Sequence, residues 1–76
     1  MELNEFIVNF ANQFDETEAS EIKGNTIFRD LEEWSSLIAL SVIAMVDEEY
    51  DITLRGDDIK NSETIEDLYN VVRSKI

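Results

Sequence analysis

The sequence predicts an all-α domain, a small four-helix bundle of three principal helices and one short helix with a long first loop. Three observations predict it. Apolar residues recur at spacings of three and four in three separate segments. The chain has no proline, and its two glycines, Gly24 and Gly56, fall between those segments. The β-branched residues follow the helical spacing too, so no strand pattern competes. Seventy-six residues make one domain, 1–76, without internal repeats or low-complexity tracts. A chain this short buries only about 60 % of the surface its unfolded form exposes. That allows one thin core and no deep pocket.

The first helix is expected from about Leu3 to Phe14, with Leu3, Phe6, Ile7, Phe10 and Phe14 on one face. Asp15 to Asn25 is polar and ends in Lys23-Gly24-Asn25, which reads as a loop. Ile27 and Phe28 are expected to anchor this long connection to the core. The second helix should run from Ser36 to about Tyr50, followed by a turn region, Asp51 to Gly56, with Ile52 and Leu54 as buried plugs. Asp57 to Lys60 suits a single helical turn. Thr64-Ile65-Glu66-Asp67 resembles a capping box and starts the last helix, whose face is Ile65, Leu68, Tyr69, Val72 and Ile76.

Composition excludes several chemistries. Without cysteine there is no disulfide, thiolate metal site or cysteine nucleophile. Without histidine the commonest general base and transition-metal ligand are missing. Eighteen acids against six basic residues give a formal charge of −12. Such a field repels nucleic acid and anionic membranes and attracts basic protein surfaces. Disorder would require low hydrophobicity, whereas 43 % of residues are hydrophobic and periodically placed. The start, Met1-Glu2-Leu3-Asn4-Glu5, has neither a basic region nor an apolar run, and no segment has the roughly 18 apolar residues of a membrane helix. A cytoplasmic monomer is expected.

The second helix carries the functional signal. At about 100° per residue, Ala39, Leu40, Val42, Ile43, Val46 and Tyr50 share a face broad enough to cover the core. Leu37, Ile38, Ala44 and Met45 lie opposite, among Ser41, Glu48 and Glu49. Apolar residues mixed with acids suggest a docking face; the plainer reading tucks Leu37 and Ile38 under the first loop. Ser36 also has two readings. Serine is a favoured N-cap, and a helix start also favours an attached phosphate through its orphan N–H groups and dipole.

Phe28-Arg29-Asp30-Leu31-Glu32-Glu33-Trp34-Ser35-Ser36-Leu37, followed by an apolar helix ending Asp47-Glu48-Glu49-Tyr50, resembles the acyl carrier protein family. In that family an Asp-Ser-Leu motif opens the second helix, and its serine carries 4′-phosphopantetheine. Ser36-Leu37 matches the last two residues, and Trp34 fits a tryptophan that often precedes the motif in discrete carriers. Element order, length and acidity extend the resemblance over nearly the whole chain. It implies a bundle of acyl-carrier type, not an enzyme, with 4′-phosphopantetheine covalently bound at Ser36 as the cofactor. The thiol of that group carries acyl or aminoacyl cargo as a thioester in a fatty-acid, polyketide or related pathway. The implied partners are a phosphopantetheinyl transferase and acyl-loading and acyl-processing enzymes with basic docking patches. Ser35, Leu37, Ser41, Met45, Asp47 and Glu48 would form the partner-binding set. The usual Asp before the serine is Ser35 here, which bears on recognition by the transferase. Ser41 stands where many members have an acid, which bears on partner choice.

Other chemistries fit less well. A serine hydrolase needs a base, and no lysine lies near Ser36 in sequence. Acid runs such as Asp47-Glu48-Glu49 suit a solvated face, and a glycosidase cleft exceeds this chain. A calcium loop counted from Asp47 fails, because its sixth and twelfth positions hold Ile52 and Asp58. The remaining alternative is an unmodified, acidic protein-interaction adaptor sharing the carrier fold.

Overall fold

Four α-helices are present among residues 2–76, the part of the chain that the computed structural model describes: α1 (Leu3–Ala11), α2 (Ser36–Tyr50), α3 (Gly56–Lys60) and α4 (Ile65–Ser74). Met1 lies outside these residues. Helix α1 packs against α2 and α4, and α3 packs against α4. This is the all-α arrangement expected. Phe6 and Phe10 of α1, Val42 and Val46 of α2, and Ile65, Leu68 and Val72 of α4 are fully buried and form the centre of the core. Ile52, Leu54 and Ile59 close it from the α2–α3 side.

Helix α1 ends earlier than its apolar spacing suggests. After Ala11 the bonds shorten to i→i−3, Gln13 N to Phe10 O at 3.1 Å and Phe14 N to Ala11 O at 3.0 Å. Phe14 is buried all the same, because the tightened turn keeps its ring 5.7 Å from that of Phe10. What turns the chain away is Glu33. Its carboxylate accepts the backbone N–H groups of Asp15 (2.6 Å), Glu16 (2.9 Å) and Thr17 (2.8 Å), and the Thr17 hydroxyl at 2.8 Å. These bonds, led by that from Asp15 and outweighing partial desolvation, lower the Glu33 pKa from 4.5 to about 2.

The long connection between α1 and α2 is therefore tied down along its length. It contains two single turns of 3₁₀ helix, Ala19–Glu21 and Phe28–Asp30. Ile22 and Phe28 are buried, and Ile27, expected in the core, is exposed instead. The cause is an antiparallel bridge between Ile27 and Thr64, which turns alternate side chains to opposite sides. Glu66 N also donates to Gly24 O at 2.9 Å, so the loop docks on the start of α4.

Helix α2 has the expected bounds. Asp51 stops it in the left-handed region, φ 56° and ψ 41°, which aspartate tolerates better than most residues. The capping box of α4 forms as its sequence indicates. Thr64 Oγ1 accepts Asp67 N–H at 3.1 Å, and Asp67 Oδ2 in turn accepts Thr64 N–H at 3.1 Å. Ile76 does not complete the α4 face; the helix stops at Ser74 and Ile76 is 77 % exposed.

The Glu33 clamp has a pH signature. Its folded pKa lies below the free value of 4.5, so it stabilises the fold fully above about pH 4.5 and loses this as pH falls towards about 2. Protonating the other acids relieves self-repulsion, an effect of opposite sign. Comparing denaturation of wild type and Glu33→Gln from pH 7 to 2 isolates the clamp. The variant should be less stable at pH 7, and the gap should close on acidification.

Candidate functional site

The site is built around the start of α2. Phe28 and Trp34 rings pack with centroids 4.8 Å apart, and Trp34 stacks on Phe10 at 6.2 Å and an interplanar angle of 4°. This packing holds the residue just before the helix against the core. Ser35 then has extended backbone, φ −155° and ψ 174°, and its Oγ accepts Ile38 N at 3.4 Å. Ser35 is the N-cap. The capping role read for Ser36 is thereby corrected, because Ser36 is already the first helical residue and its extended neighbour is the one whose hydroxyl can reach forward. Ser36 is exposed, and no hydrogen bond to its hydroxyl is found among the described residues.

Helix α2 is turned relative to the expected orientation. Val42, Val46 and Met45 are its buried residues, whereas Leu40 is 62 % exposed and Leu37 75 % exposed. Met45, expected on the partner-binding face, is a core residue at 6 % exposure. The buried face is rotated by roughly 60° from the one read off the spacing. A helix apolar on most sides does not orient itself, so its neighbours decide. Trp34 fixes one end, and at the other Asn9 Nδ2 of α1 donates to Tyr50 Oη at 2.8 Å. That end is partly buried, and burial raises the Tyr50 pKa despite this bond.

The exposed stripe of α2 is thus Leu37, Leu40, Ala44, Asp47 and Glu48, with Ser41 half-buried at its edge. Leu37, Leu40, Ala44 and Glu48 follow the i, i+3, i+7, i+11 spacing of one helix face. Leu40 is the functional candidate that spacing alone assigned to the core. Ser41, Met45 and Glu48 come together in a shallow cleft of about 270 Å³ against Asn9, Asn12 and Gln13 of α1.

Ser35 and Ser36 belong to a different cleft, about 330 Å³, between the start of α2 and α3. Arg29, Trp34, Ala39, Ile59 and Lys60 line it. Arg29 Nη1 donates to Ile59 O at 3.0 Å, and its guanidinium carbon lies 5.1 Å from the centroid of the Phe28 ring. Elsewhere, a cleft of about 470 Å³ is lined by Glu16, Glu21, Asp30, Glu32 and Glu33 with Thr17 and Leu31. Among the described residues no group of acids is disposed to hold a metal ion.

No family model, curated protein or solved structure matches the chain. What bears on function is therefore the chemistry of the two serines and the surfaces beside them. No helix among the described residues is long and apolar enough to cross a membrane.

The capping assignment predicts unequal costs. Ser35→Ala should destabilise the fold by roughly 0.5–1 kcal/mol, the lower part of the N-cap range because its bond is long. Ser36→Ala should stay within about 0.5 kcal/mol of wild type, as for an exposed residue. Urea unfolding of both variants checks this; a larger loss at Ser36 would reverse the assignment.

Proposed function

We propose that the chain is an acyl carrier protein modified at Ser36 with 4′-phosphopantetheine. The observation that carries this reading is the exposed hydroxyl of Ser36 on the first residue of α2, beside a cleft lined by cations. The donor set fits the group: a reachable nucleophilic oxygen, a helix start that favours an anion, and room around it. Ser36 Oγ would form a bond to the phosphorus that bears pantetheine in coenzyme A. The pyrophosphate bond breaks, 3′,5′-ADP leaves and the hydroxyl proton passes to the transferase or solvent. The bound group supplies a terminal thiol that carries acyl or aminoacyl cargo as a thioester.

The protein's own residues supply position and recognition. Trp34 and Ser35 set where the helix begins, so the attachment point is held on a rigid element. Ser35 caps with a hydroxyl where the family usually has a carboxylate, and the two are comparable caps. Leu37 and Leu40 offer apolar contact, and Asp47 and Glu48 meet basic patches on the transferase and on loading and processing enzymes. Exposed charge of this kind speeds encounter while leaving affinity modest, and salt weakens it. Tethering raises the local concentration of cargo at each partner, and the carrier itself catalyses nothing.

Exposed Leu37 and Leu40 favour a docking role whether or not Ser36 is modified, which supports the adaptor reading equally. Modification separates the two. Incubation with coenzyme A and a broad-specificity phosphopantetheinyl transferase should add one phosphopantetheine mass, mapped to Ser36, retained in Ser35→Ala and absent in Ser36→Ala. A folded chain that gains nothing while a control carrier is loaded would favour the adaptor.

A further inference from the structure

We propose that the cleft beside Ser36 is a phosphate seat, in which Arg29 and Lys60 hold the phosphodiester of the group attached there; the inference rests on the carrier reading above. Its starting point is the distribution of charge. The chain has eighteen acids and six basic residues, yet this cleft is lined by two cations and no acid. The acidic cleft formed by Glu16, Glu21, Asp30, Glu32 and Glu33 shows how different the surface is elsewhere. Its volume of about 330 Å³ is at the small end of ligand pockets, which run roughly 300–1,000 Å³.

The two cations are suited to different parts of the task. Arg29 is held in place by its bond to Ile59 O and by the Phe28 ring, which consumes one of its N–H donors. A guanidinium has five such donors in a planar fork, the geometry that matches phosphate oxygens. Because the guanidinium is already oriented, little further ordering is needed to bind. Lys60 is exposed, makes no ion pair among the described residues, and acts as a movable point charge. The start of α2 adds its dipole in the same direction.

The seat answers a problem specific to this chain. A phosphodiester adds one more negative charge to a protein already at −12. Two cations lining the attachment cleft offset it locally. They also keep the base of the arm against α3, so a partner's basic patch must compete with Arg29 and Lys60 for the same oxygens.

The experiment compares the chain before and after loading, with mass spectrometry establishing occupancy of Ser36. Proton–nitrogen correlation spectra are then recorded at low salt for wild type, Lys60→Gln and Arg29→Lys, each loaded form against its own unloaded form. Arg29 also braces Ile59 O, so Lys60→Gln, at an exposed and unpaired position, keeps the test independent of folding. In wild type, loading should shift the Arg29 Nε–H and the amides of Gly56 to Lys60 as well as those at the start of α2. Lys60→Gln, once its occupancy is shown complete by mass, should lose most of the α3 shifts. Arg29→Lys, which keeps the charge but has no guanidinium N–H to read, should show smaller shifts of the Gly56 to Lys60 amides than wild type. Full loading with α3 unmoved, or with equal shifts in Lys60→Gln, overturns the seat and leaves the carrier reading intact. A folded chain that is not loaded at Ser36 overturns the carrier reading and the seat with it.

Discussion

The packing of Trp34 between Phe10 and Phe28 is the constraint on which the site depends. Phe10 lies within 6.4 Å, centroid to centroid, of Phe6, Phe14, Phe28 and Trp34, so one ring of α1 is shared by the core and by the loop. Aromatic pairs at such separations contribute roughly 0.5–1.5 kcal/mol each beyond burial. Here they hold the end of a long connection that has little regular structure of its own. Four consecutive residues then divide the work. Glu33 clamps the beginning of the loop, Trp34 plugs its end into the core, Ser35 caps α2, and Ser36 is left exposed as the first residue of that helix.

Charge is arranged around that point with equal economy. Acids are spread over the exposed surface and give the chain a net charge of −12, a field that attracts basic surfaces at long range. The exposed stripe from Leu37 to Glu48 joins short-range apolar contact to that field. On the other side of Ser36, Arg29 and Lys60 form a local cationic exception. On the proposed carrier reading, a partner approaching along α2 and a phosphate attached at Ser36 would be served by different faces of the same helix end.

Much of this was legible in the residues, and the rest was not for identifiable reasons. The bounds of α2, the Thr64–Asp67 capping box and the plugs Ile52 and Leu54 follow from local patterns that operate within one or two turns. The orientation of α2 does not, because a helix apolar on most sides leaves the choice to Trp34 and Asn9. That choice moved Met45 into the core and Leu40 out. The end of α1 escaped because it is set by Glu33, nineteen positions beyond Phe14 in sequence. Adjacent serines hid the cap, since residue type alone fits either. That Arg29 and Lys60 line one cleft is a tertiary fact, and the only signal for it was the scarcity of basic residues.

The most direct test of the central claim is the mass of the Ser36-containing peptide from chain isolated out of the cells that make it. A fragment bearing phosphopantetheine on Ser36, released as the free arm by mild base, is the result the carrier account requires. Unmodified Ser36 throughout the isolated protein, in cells whose other carriers are loaded, would contradict it and leave a docking protein that works through Leu37, Leu40 and its acidic face alone.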